Sequence, residues 1–270
     1  MKPAWFLSVT LLLPLPPIAV AQTAGDFTGA TGRGWVAERL PVGEMLAYDV
    51  KFGLIKLGRA MMKVMPPDTV RDELTSHFRF LMEANLAGVY RMHNQFDSWV
   101  GADDFHSRRY IQEKNEGGRQ WTDAYEIFPD SGVYWQQGVD TAQTASDNPL
   151  DDTAFFYFVR TLKLEPGDSL SFDNYFRPDR NPVVVRVLER DTIDVPAGRF
   201  PTIIIQPIIK GGLFDGNKNG RMWLSDDDRH FIVQMKTKLA FGTITMRLID
   251  FVDPREGDTA LREAGSTPRH

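Results

Sequence analysis

The chain has 270 residues, no cysteine and a formal net charge of −5 at pH 7. Without cysteine it forms no disulfides, and redox or thiol catalysis is excluded. The mildly acidic balance, without a basic cluster, argues against nucleic acid as a partner, because binding a phosphate backbone requires clustered Lys and Arg side chains.

Residues 1–21 have the pattern of a secretory signal peptide. Lys2 gives the positive start, an apolar run follows, and Ala19-Val20-Ala21 provides the small residues of a cleavage site. We therefore expect an exported, periplasmic protein in which residues 22–42 form a flexible N-terminal segment. No later apolar run approaches the roughly 18 residues of a membrane-spanning helix, so no transmembrane segment is expected after the signal peptide.

A pattern of short strands begins at residue 43. Apolar and polar side chains alternate between turns rich in Gly and Asp, which is typical of antiparallel strands with one buried face. The paired prolines at 66–67 are predicted to stop the second strand, because proline cannot donate to a strand ladder. Residues 86–92 are predicted to form a short helix or an irregular connection. The predicted strands of this half are 43–52, 57–65, 76–84, 93–100, 108–114, 120–128 and 133–137.

The best helix candidate begins at Asp151 and Asp152, which are good N-cap residues. Phe155, Phe158, Val159 and Leu162 then fall on one face, and Pro166-Gly167 ends the pattern. An aromatic stripe at this spacing is typical of core packing, and a ligand-binding face is the alternative.

Arg160 lies within the helix pattern and has two interpretations. It could be a solvated side chain at the helix end, where a cation is favourable. It could instead turn inward, where its planar guanidinium suits an acidic partner or an anionic ligand headgroup.

The most regular alternation runs over residues 191–252, after further predicted strands at 169–176 and 182–189. A turn at Pro196-Ala197-Gly198 leads into residues 201–209, which are apolar on both faces and therefore predicted to form a central strand. Further strands are predicted at 222–224, 231–239 and 244–248. The sequence thus predicts one β-rich domain over 43–252, followed by a disordered tail at 253–270.

A calcium-loop motif is the only candidate metal site. Asp215, Asn217 and Asn219 match its first ligand positions, and Asp226 stands at the twelfth. Strands rather than helices flank the motif, so a hairpin turn without functional calcium is the preferred interpretation. No metal site is therefore predicted, and calcium remains the alternative.

Catalytic motifs are missing from the sequence. The five histidines are scattered, and neither a nucleophile elbow nor a phosphate-binding glycine loop occurs. We therefore assign no catalytic residue and no cofactor, and expect a protein that is not an enzyme.

Five segments carry a resemblance to a known family: 43–50, Gly58, 151–160, 194–200 and 222–227. They contain Gly-Glu before Tyr-Asp-Val, an Asp-initiated FFYFVR helix, the turn VPAGRF and the strand end WLSDD. Over about residues 43–252 the chain resembles the domain-of-unknown-function family 3108, a group of exported bacterial proteins. The resemblance implies a periplasmic all-β protein without an established activity. The general pattern is also similar to the half-barrel carriers of lipids and lipoproteins in bacterial envelopes, which is an analogy of fold alone.

The expected fold is a long, strongly curved antiparallel sheet, open or a half-barrel, with one helix on its concave side. The expected function is non-catalytic binding of an apolar or amphipathic envelope molecule, such as a lipid or a lipoprotein acyl chain. The alternatives are an envelope interaction protein that pairs through a sheet edge, and a hydrolase of envelope glycan or lipid. The residues expected to line the ligand site are Phe155, Phe158, Arg160, Leu162, Trp223, Met235, Ile244 and Met246.

Overall fold

The computed structural model describes residues 39–86, 90–210, 220–239 and 242–256. These residues include fourteen strands and the α-helix α1 (Asp152–Phe158). Residues 254–256 are also helical. Short 3₁₀ turns occur at Pro129–Ser131, Val159–Thr161 and Pro178–Arg180. The strands are β1 Met45–Phe52, β2 Ile55–Val70, β3 Glu73–Leu86, β4 Tyr90–Gly101, β5 Ser107–Glu116, β6 Arg119–Phe128, β7 Val133–Gln136, β8 Gln143–Thr144, β9 Ser169–Phe172, β10 Val183–Val195, β11 Gly198–Ile208, β12 Arg221–Ser225, β13 Ile232–Leu239 and β14 Gly242–Val252.

All fourteen strands belong to one antiparallel sheet. Its order is β8-β7-β6-β5-β4-β3-β2-β1-β14-β13-β12-β11-β10-β9. Strands that are consecutive in sequence pair with each other, except β8 and β9, which lie at the two edges. In addition, β1 pairs with β14, where Met45 lies opposite Val252. This pairing joins two meanders, one that continues from β1 to β8 and one that runs back from β14 to β9. The predicted central strand is β11, which lies between β10 and β12.

The sheet curls until its two edges face each other. Phe176, which follows edge strand β9, packs its ring against Tyr125 of β6 at 5.2 Å and Tyr134 of β7 at 5.1 Å. The Phe176 amide donates to the Leu150 carbonyl at 2.9 Å, so connecting segments bridge the gap. Within the described residues no strand ladder joins β8 to β9. The predicted strongly curved open sheet with one helix is therefore confirmed.

The core fills the concave side of the sheet. Alternate residues of each strand point inward, as Tyr48, Val50, Phe78 and Phe80 do. Every residue of α1 from Thr153 to Phe158 is buried, and the Tyr157 hydroxyl donates to the Lys63 carbonyl of β2 at 2.9 Å. The helix therefore lies inside the curve of the sheet.

Three local predictions were wrong. Pro66-Pro67 does not end the second strand, since β2 continues to Val70 with a register shift between Met65 and Asp68. The prolines sit in this bulge, where no ladder donor is required. Residues 86 and 90–92 belong to strands β3 and β4, not to a helix. The helix stops at Phe158, a 3₁₀ turn follows, and Leu162 is already extended.

The strand turns form two rims, because consecutive antiparallel strands reverse alternately at each end of the sheet. We call the described residues 51–59, 83–86, 90–93, 116–119, 236–239 and 242–244 the mouth rim. We call residues 71–73, 102–106, 129–132, 196–197 and 226–230 the far rim.

Several predicted features lie outside the described residues: the signal peptide at 1–21, most of segment 22–42, the loop positions 215, 217 and 219, and residues 257–270. Residues 253–256 of the predicted disordered tail are described, and Asp253 is buried and accepts hydrogen bonds from Arg255. In the described part of the chain, no helix has the length and apolar character needed to cross a bilayer.

Candidate functional site

A partly open cavity of about 270 Å³ lies between the start of α1 and the concave face of the sheet. Most of its wall is aliphatic or aromatic, and it combines side chains from the helix, from β3 to β5 and from β14. The lining residues are Phe80, Met82, Phe96, Tyr110, Gln112, Lys114, Asp152, Thr153, Phe155, Phe156, Ile209, Ile244 and Met246.

The cavity exists because the helix fills only the far-rim side of the curved sheet. There Tyr157 stacks on Phe78 with ring centroids 4.0 Å apart, and Phe158 packs edge-on against Phe172 at 5.2 Å. On the mouth side, Met82 and Ile244 remain only half-buried although they point inward. A short helix of seven residues cannot cover the whole width of the sheet, so this half of the concave face keeps unfilled space.

A few polar groups interrupt the apolar wall. The Tyr110 hydroxyl lies 3.5 Å from Asp152 Oδ2, and Lys114 Nζ lies 3.3 Å from Asp123 Oδ2. Loss of hydration raises the pKa of Asp152, while Arg180 and the hydroxyls of Tyr175 and Tyr110 oppose that rise. An apolar cavity with few polar groups on one wall is the arrangement that holds an apolar ligand and orients its polar end.

The predicted ligand-binding residues separate into two groups. Phe155, Ile244 and Met246 line the cavity. Phe158, Leu162 and Met235 are buried in the core but are not among the lining residues.

Trp223 lies on the opposite face of the sheet from the cavity. Its neighbours Met222 and Leu224 point into the core, so the alternation of β12 turns Trp223 outward, where it pairs with Ile204 of β11. The prediction that Trp223 forms a sheet-side wall is therefore corrected. Met222, Trp223 and Leu224 are all apolar, so the sequence did not show which of them face the core.

Arg160 turns inward to an acidic partner. Its guanidinium binds Glu44 in bidentate fashion, with Nη1 to Oε1 at 2.6 Å and Nη2 to Oε2 at 2.8 Å. The two residues are 1% and 2% exposed, and Arg160 also donates to the Arg229 carbonyl at 3.2 Å. Two of the segments that carry the family resemblance thus meet in one ion pair. The guanidinium is engaged by protein groups on the far-rim side and is not among the residues that line the cavity, so the prediction that Arg160 lines the ligand site is corrected.

Asp151 fixes the start of the helix. Its Oδ1 accepts from the amides of Thr153 and Ala154, both at 2.9 Å, and its Oδ2 accepts from the hydroxyls of Ser98 at 2.6 Å and Ser107 at 2.7 Å. The predicted N-cap is confirmed, and the same carboxylate also ties α1 to β4 and β5. This anchoring holds Phe155 and Phe156 against the cavity.

The residues that sequence reasoning missed come mainly from β3, β4 and β5. Met82, Phe96, Gln112 and Lys114 point inward from positions that the alternation of these strands could have assigned to the concave face. What alternation could not show is that these strands lie across from Ile244 of β14, because that depends on the curl of the sheet. Phe156 was missed because the helical stripe was drawn through Phe155 and Phe158.

The described residues contain no group of three or more His, Asp or Glu side chains arranged for a metal ion. Asp226, the last position of the calcium motif, accepts from Arg190 Nε at 3.0 Å. A histidine–aspartate contact does occur on the outer face, where His77 Nε2 lies 2.6 Å from Asp97 Oδ1. Arg79 and Gln95 also donate to this carboxylate, so the contact is part of a packed polar cluster beneath Trp99.

One of three similar solved structures shares the general fold. A beta-barrel-like protein of the domain of unknown function DUF1849 from Brucella abortus aligns with a TM-score of 0.51 at 12% identity, covering 80% of this chain and 99% of that one. A candidate lipoprotein from Parabacteroides distasonis aligns with a TM-score of 0.32 at 8% identity, covering 78% of this chain and 95% of its own. A candidate exported protein with a YmcC-like fold from Bacteroides fragilis aligns with a TM-score of 0.30 at 11% identity, covering 79% of this chain and 97% of its own. At these identities the likeness concerns the fold alone.

Comparison of the sequence itself gives the family. No curated protein matches this chain. The family described as protein of unknown function (DUF3108) matches residues 47–249, which is most of the described sheet and the whole of the helix. The chain therefore belongs to the DUF3108 family.

Proposed function

We propose that this protein binds the apolar part of an envelope lipid or acylated molecule in the cavity beside α1, without chemical conversion. The observation that carries the proposal is the unfilled apolar space of about 270 Å³ inside an otherwise packed sheet. Leaving Met82, Phe96 and Ile244 only half-buried is unfavourable in an empty protein, and a bound chain would remove this apolar surface from water.

The size of the space limits the ligand. Its volume lies just below the roughly 300–1,000 Å³ of typical ligand pockets, so it suits one acyl chain or part of one, not a complete multi-chain lipid. The remainder of a larger ligand would emerge on the mouth side, where the cavity is open. Lys114 and Gln112 would then be the groups nearest its polar end.

Binding without catalysis fits the groups around the cavity. Among the described residues, its wall holds one carboxylate, Asp152, and no histidine or serine. A pair of carboxylates, or a serine beside a histidine, would be the arrangement for hydrolysis of a glycan or an ester. The signal-like segment 1–21 supports placing this binding in the periplasm.

A second candidate function rests on one edge of the sheet. β7 pairs with β6 only from Tyr125 to Phe128, and within the described residues no strand lies beside positions 119–123. Trp121 is exposed there. An envelope protein could add a strand at this edge, which is a known mode of peptide recognition.

Filling the cavity tests the leading proposal. Ile244→Trp places a large side chain in the space, and we expect it to weaken the binding of a fluorescent fatty acid at least tenfold. Ile249→Trp is the matched control, because Ile249 lies on the same strand, at the bulge opposite Ala47 and Tyr48, and does not line the cavity; it should leave binding unchanged. Equal binding by both variants, or no binding by the unmodified protein, would contradict the proposal.

A further inference from the structure

The mouth rim carries an exposed apolar tip. The β1–β2 turn reverses in two residues between Phe52 and Ile55, with Gly53 in the left-handed region at φ +57°. Leu54 at its summit is 99% exposed and Ile55 is 58% exposed. Nothing in the turn requires leucine, since the left-handed position is already taken by glycine.

Basic side chains surround this tip. The rim has two acidic side chains, Glu83 and Glu116, which contact His93 and Asn94 respectively. Asp49, just inside the rim, pairs with Lys56 at 2.7 Å. The basic side chains of the rim outnumber these acids; they are Lys51, Lys56, Arg59, Arg91, Arg119, Lys236 and Lys238.

The far rim has the opposite character. Its basic residues are Arg71 and Arg229, and acidic side chains dominate its turns; they are Asp72, Glu73, Asp103, Asp104, Asp130, Asp226, Asp227 and Asp228. The two rims as defined therefore carry charge of opposite sign, although the whole chain is net negative.

We propose that the mouth rim docks on an anionic lipid bilayer, with Leu54 and Ile55 entering the interface and the surrounding Lys and Arg side chains contacting the headgroups. Apolar tips combined with basic flanks bind membranes by burial of apolar area together with attraction to anionic lipid. A bilayer is favoured as the occupant because the basic residues come from four different turns around the rim, which suits an extended charged surface. The half-buried cavity residues Met82 and Ile244 also lie toward this rim.

Docking in this orientation serves the proposed binding of an acyl chain. Ile244 of the cavity wall belongs to the same rim, at the start of β14, so docking would place the opening of the cavity at the membrane interface. The far rim, with its acidic turns, would face away from an anionic surface, because like charges repel. The inference does not depend on the cavity being filled, since tip and charges lie on the outside.

Vesicle sedimentation tests the proposal. The protein, exported and purified from a bacterial host, is mixed with phosphatidylcholine vesicles that contain phosphatidylglycerol, and with pure phosphatidylcholine vesicles. We expect binding to the anionic vesicles that weakens as salt is raised from about 0.1 M to 1 M, where the screening length falls from roughly 10 Å to 3 Å. The double variant Leu54→Ser/Ile55→Ser should bind about tenfold or more weakly, and Arg91→Gln about fivefold more weakly.

Two variants beside the far rim serve as controls. Leu74 is also an exposed leucine beside a hairpin turn, at 63%, so Leu74→Ser matches the loss of apolar surface. Arg199→Gln matches the loss of an exposed charge. Both should bind vesicles as the unmodified protein does. Because every variant has the same N-terminus, any contribution of the apolar segment at 5–20 is common to all.

The outcomes separate clearly. Weakened binding in the mouth-rim variants alone supports the proposal. No vesicle binding, or equal loss in Leu74→Ser and Leu54→Ser/Ile55→Ser, overturns it. Phe96→Trp, which fills the same cavity from a position outside the mouth rim, should weaken acyl-probe binding and still sediment with anionic vesicles. Failure of ligand binding and failure of docking are therefore distinguishable.

Discussion

At the scale of single residues, a buried ion pair connects the end of the helix to the start of the first strand. Arg160 and Glu44 are separated by 116 positions and form a buried bidentate pair. The rings of Tyr157 and Phe231 lie beside the guanidinium, with centroids 5.7 and 5.4 Å from its central carbon. Removing one member leaves the other charged and unpaired in an apolar site, which is far more unfavourable than losing an exposed pair.

Arg160→Met is expected to lower the free energy of unfolding by about 3–5 kcal/mol. Arg190→Met, which breaks the exposed contacts of Arg190 with Glu165 and Asp226, is the matched control and should cost about 1 kcal/mol or less. Urea unfolding at neutral pH measures both. A cost for Arg160→Met as small as that for Arg190→Met would show that the pair is not sealed from water.

Asp151 makes stability depend on pH. Burial raises its pKa to about 6, although hydrogen bonds from Ser98, Ala154 and Ser107 favour the charged form. Because the folded-state pKa lies above the unfolded value of about 3.9, the stabilisation from protonated Asp151 is complete below that value and is lost as pH rises through about 6. Asp151→Asn removes this titration. We expect the free energy of unfolding of the unmodified protein to decline relative to this variant between pH 4 and 7, measured by urea unfolding, and a constant difference would contradict the assignment.

The sequence indicated some of these residues but not their partners. Asp151 was recognisable as an N-cap because capping is local, a matter of a side chain and amides two and three residues on. The inward orientation of Arg160 was one of two interpretations, and Glu44 could not be identified because the contact depends on how β1 meets the helix. Trp223 was placed on the wrong face because a tryptophan between two core residues of a strand is apolar yet points outward.

At the scale of elements, α1 has two different packing environments. Phe158 lies between Phe105 and Phe172 on the far-rim side, while Phe156 borders the cavity and lies 5.7 Å from Phe80. One part of the helix is therefore packed in the core, and another part forms a wall of the cavity. The sequence left core packing and a ligand-binding face as alternatives for the aromatic stripe, and the helix has a part of each kind.

Phe158→Ala is expected to cost about 3–5 kcal/mol of stability, because it opens a void in packed surroundings, and to leave acyl-probe affinity unchanged in the fraction that is folded. Phe156→Ala should cost less, since one side of the ring already faces empty space, and should alter probe affinity. Thermal unfolding together with fluorescence titration separates the two effects. Equal costs with no change in affinity for either variant would mean that the helix only completes the core.

Turn chemistry predicted most of the strands, because Gly, Asp and Pro mark reversals locally and alternation marks the buried face. The exception at Pro66-Pro67 has a physical cause. A proline removes only one donor, and a bulge between Met65 and Asp68 leaves that position without a ladder partner, so β2 can pass through it. The sequence also identified Gly58 as part of the family motif but gave no physical reason for it. The structure gives the reason: a Cβ on Gly58 would lie 1.8 Å from the Glu83 carbonyl oxygen.

At the scale of the whole molecule, the sheet is long enough to curl on itself but is bridged by loops rather than closed by strands. The sequence predicted a curved sheet with a helix inside, because a long series of strands with one buried face needs a plug. It could not predict the amount of space left beside the plug, because that depends on the curvature and on a helix of only seven residues. The cavity, and with it the candidate site, is therefore a property of the assembled fold.

The central claim is that this cavity holds an apolar chain in the living cell. Native mass spectrometry of the protein purified from the envelope of its own cells measures this most directly. We predict a series of bound masses typical of acyl lipids, lost in Ile244→Trp and retained in Ile249→Trp. A spectrum of the unmodified protein that shows only the bare polypeptide mass, or adducts that survive equally in Ile244→Trp, would contradict the account.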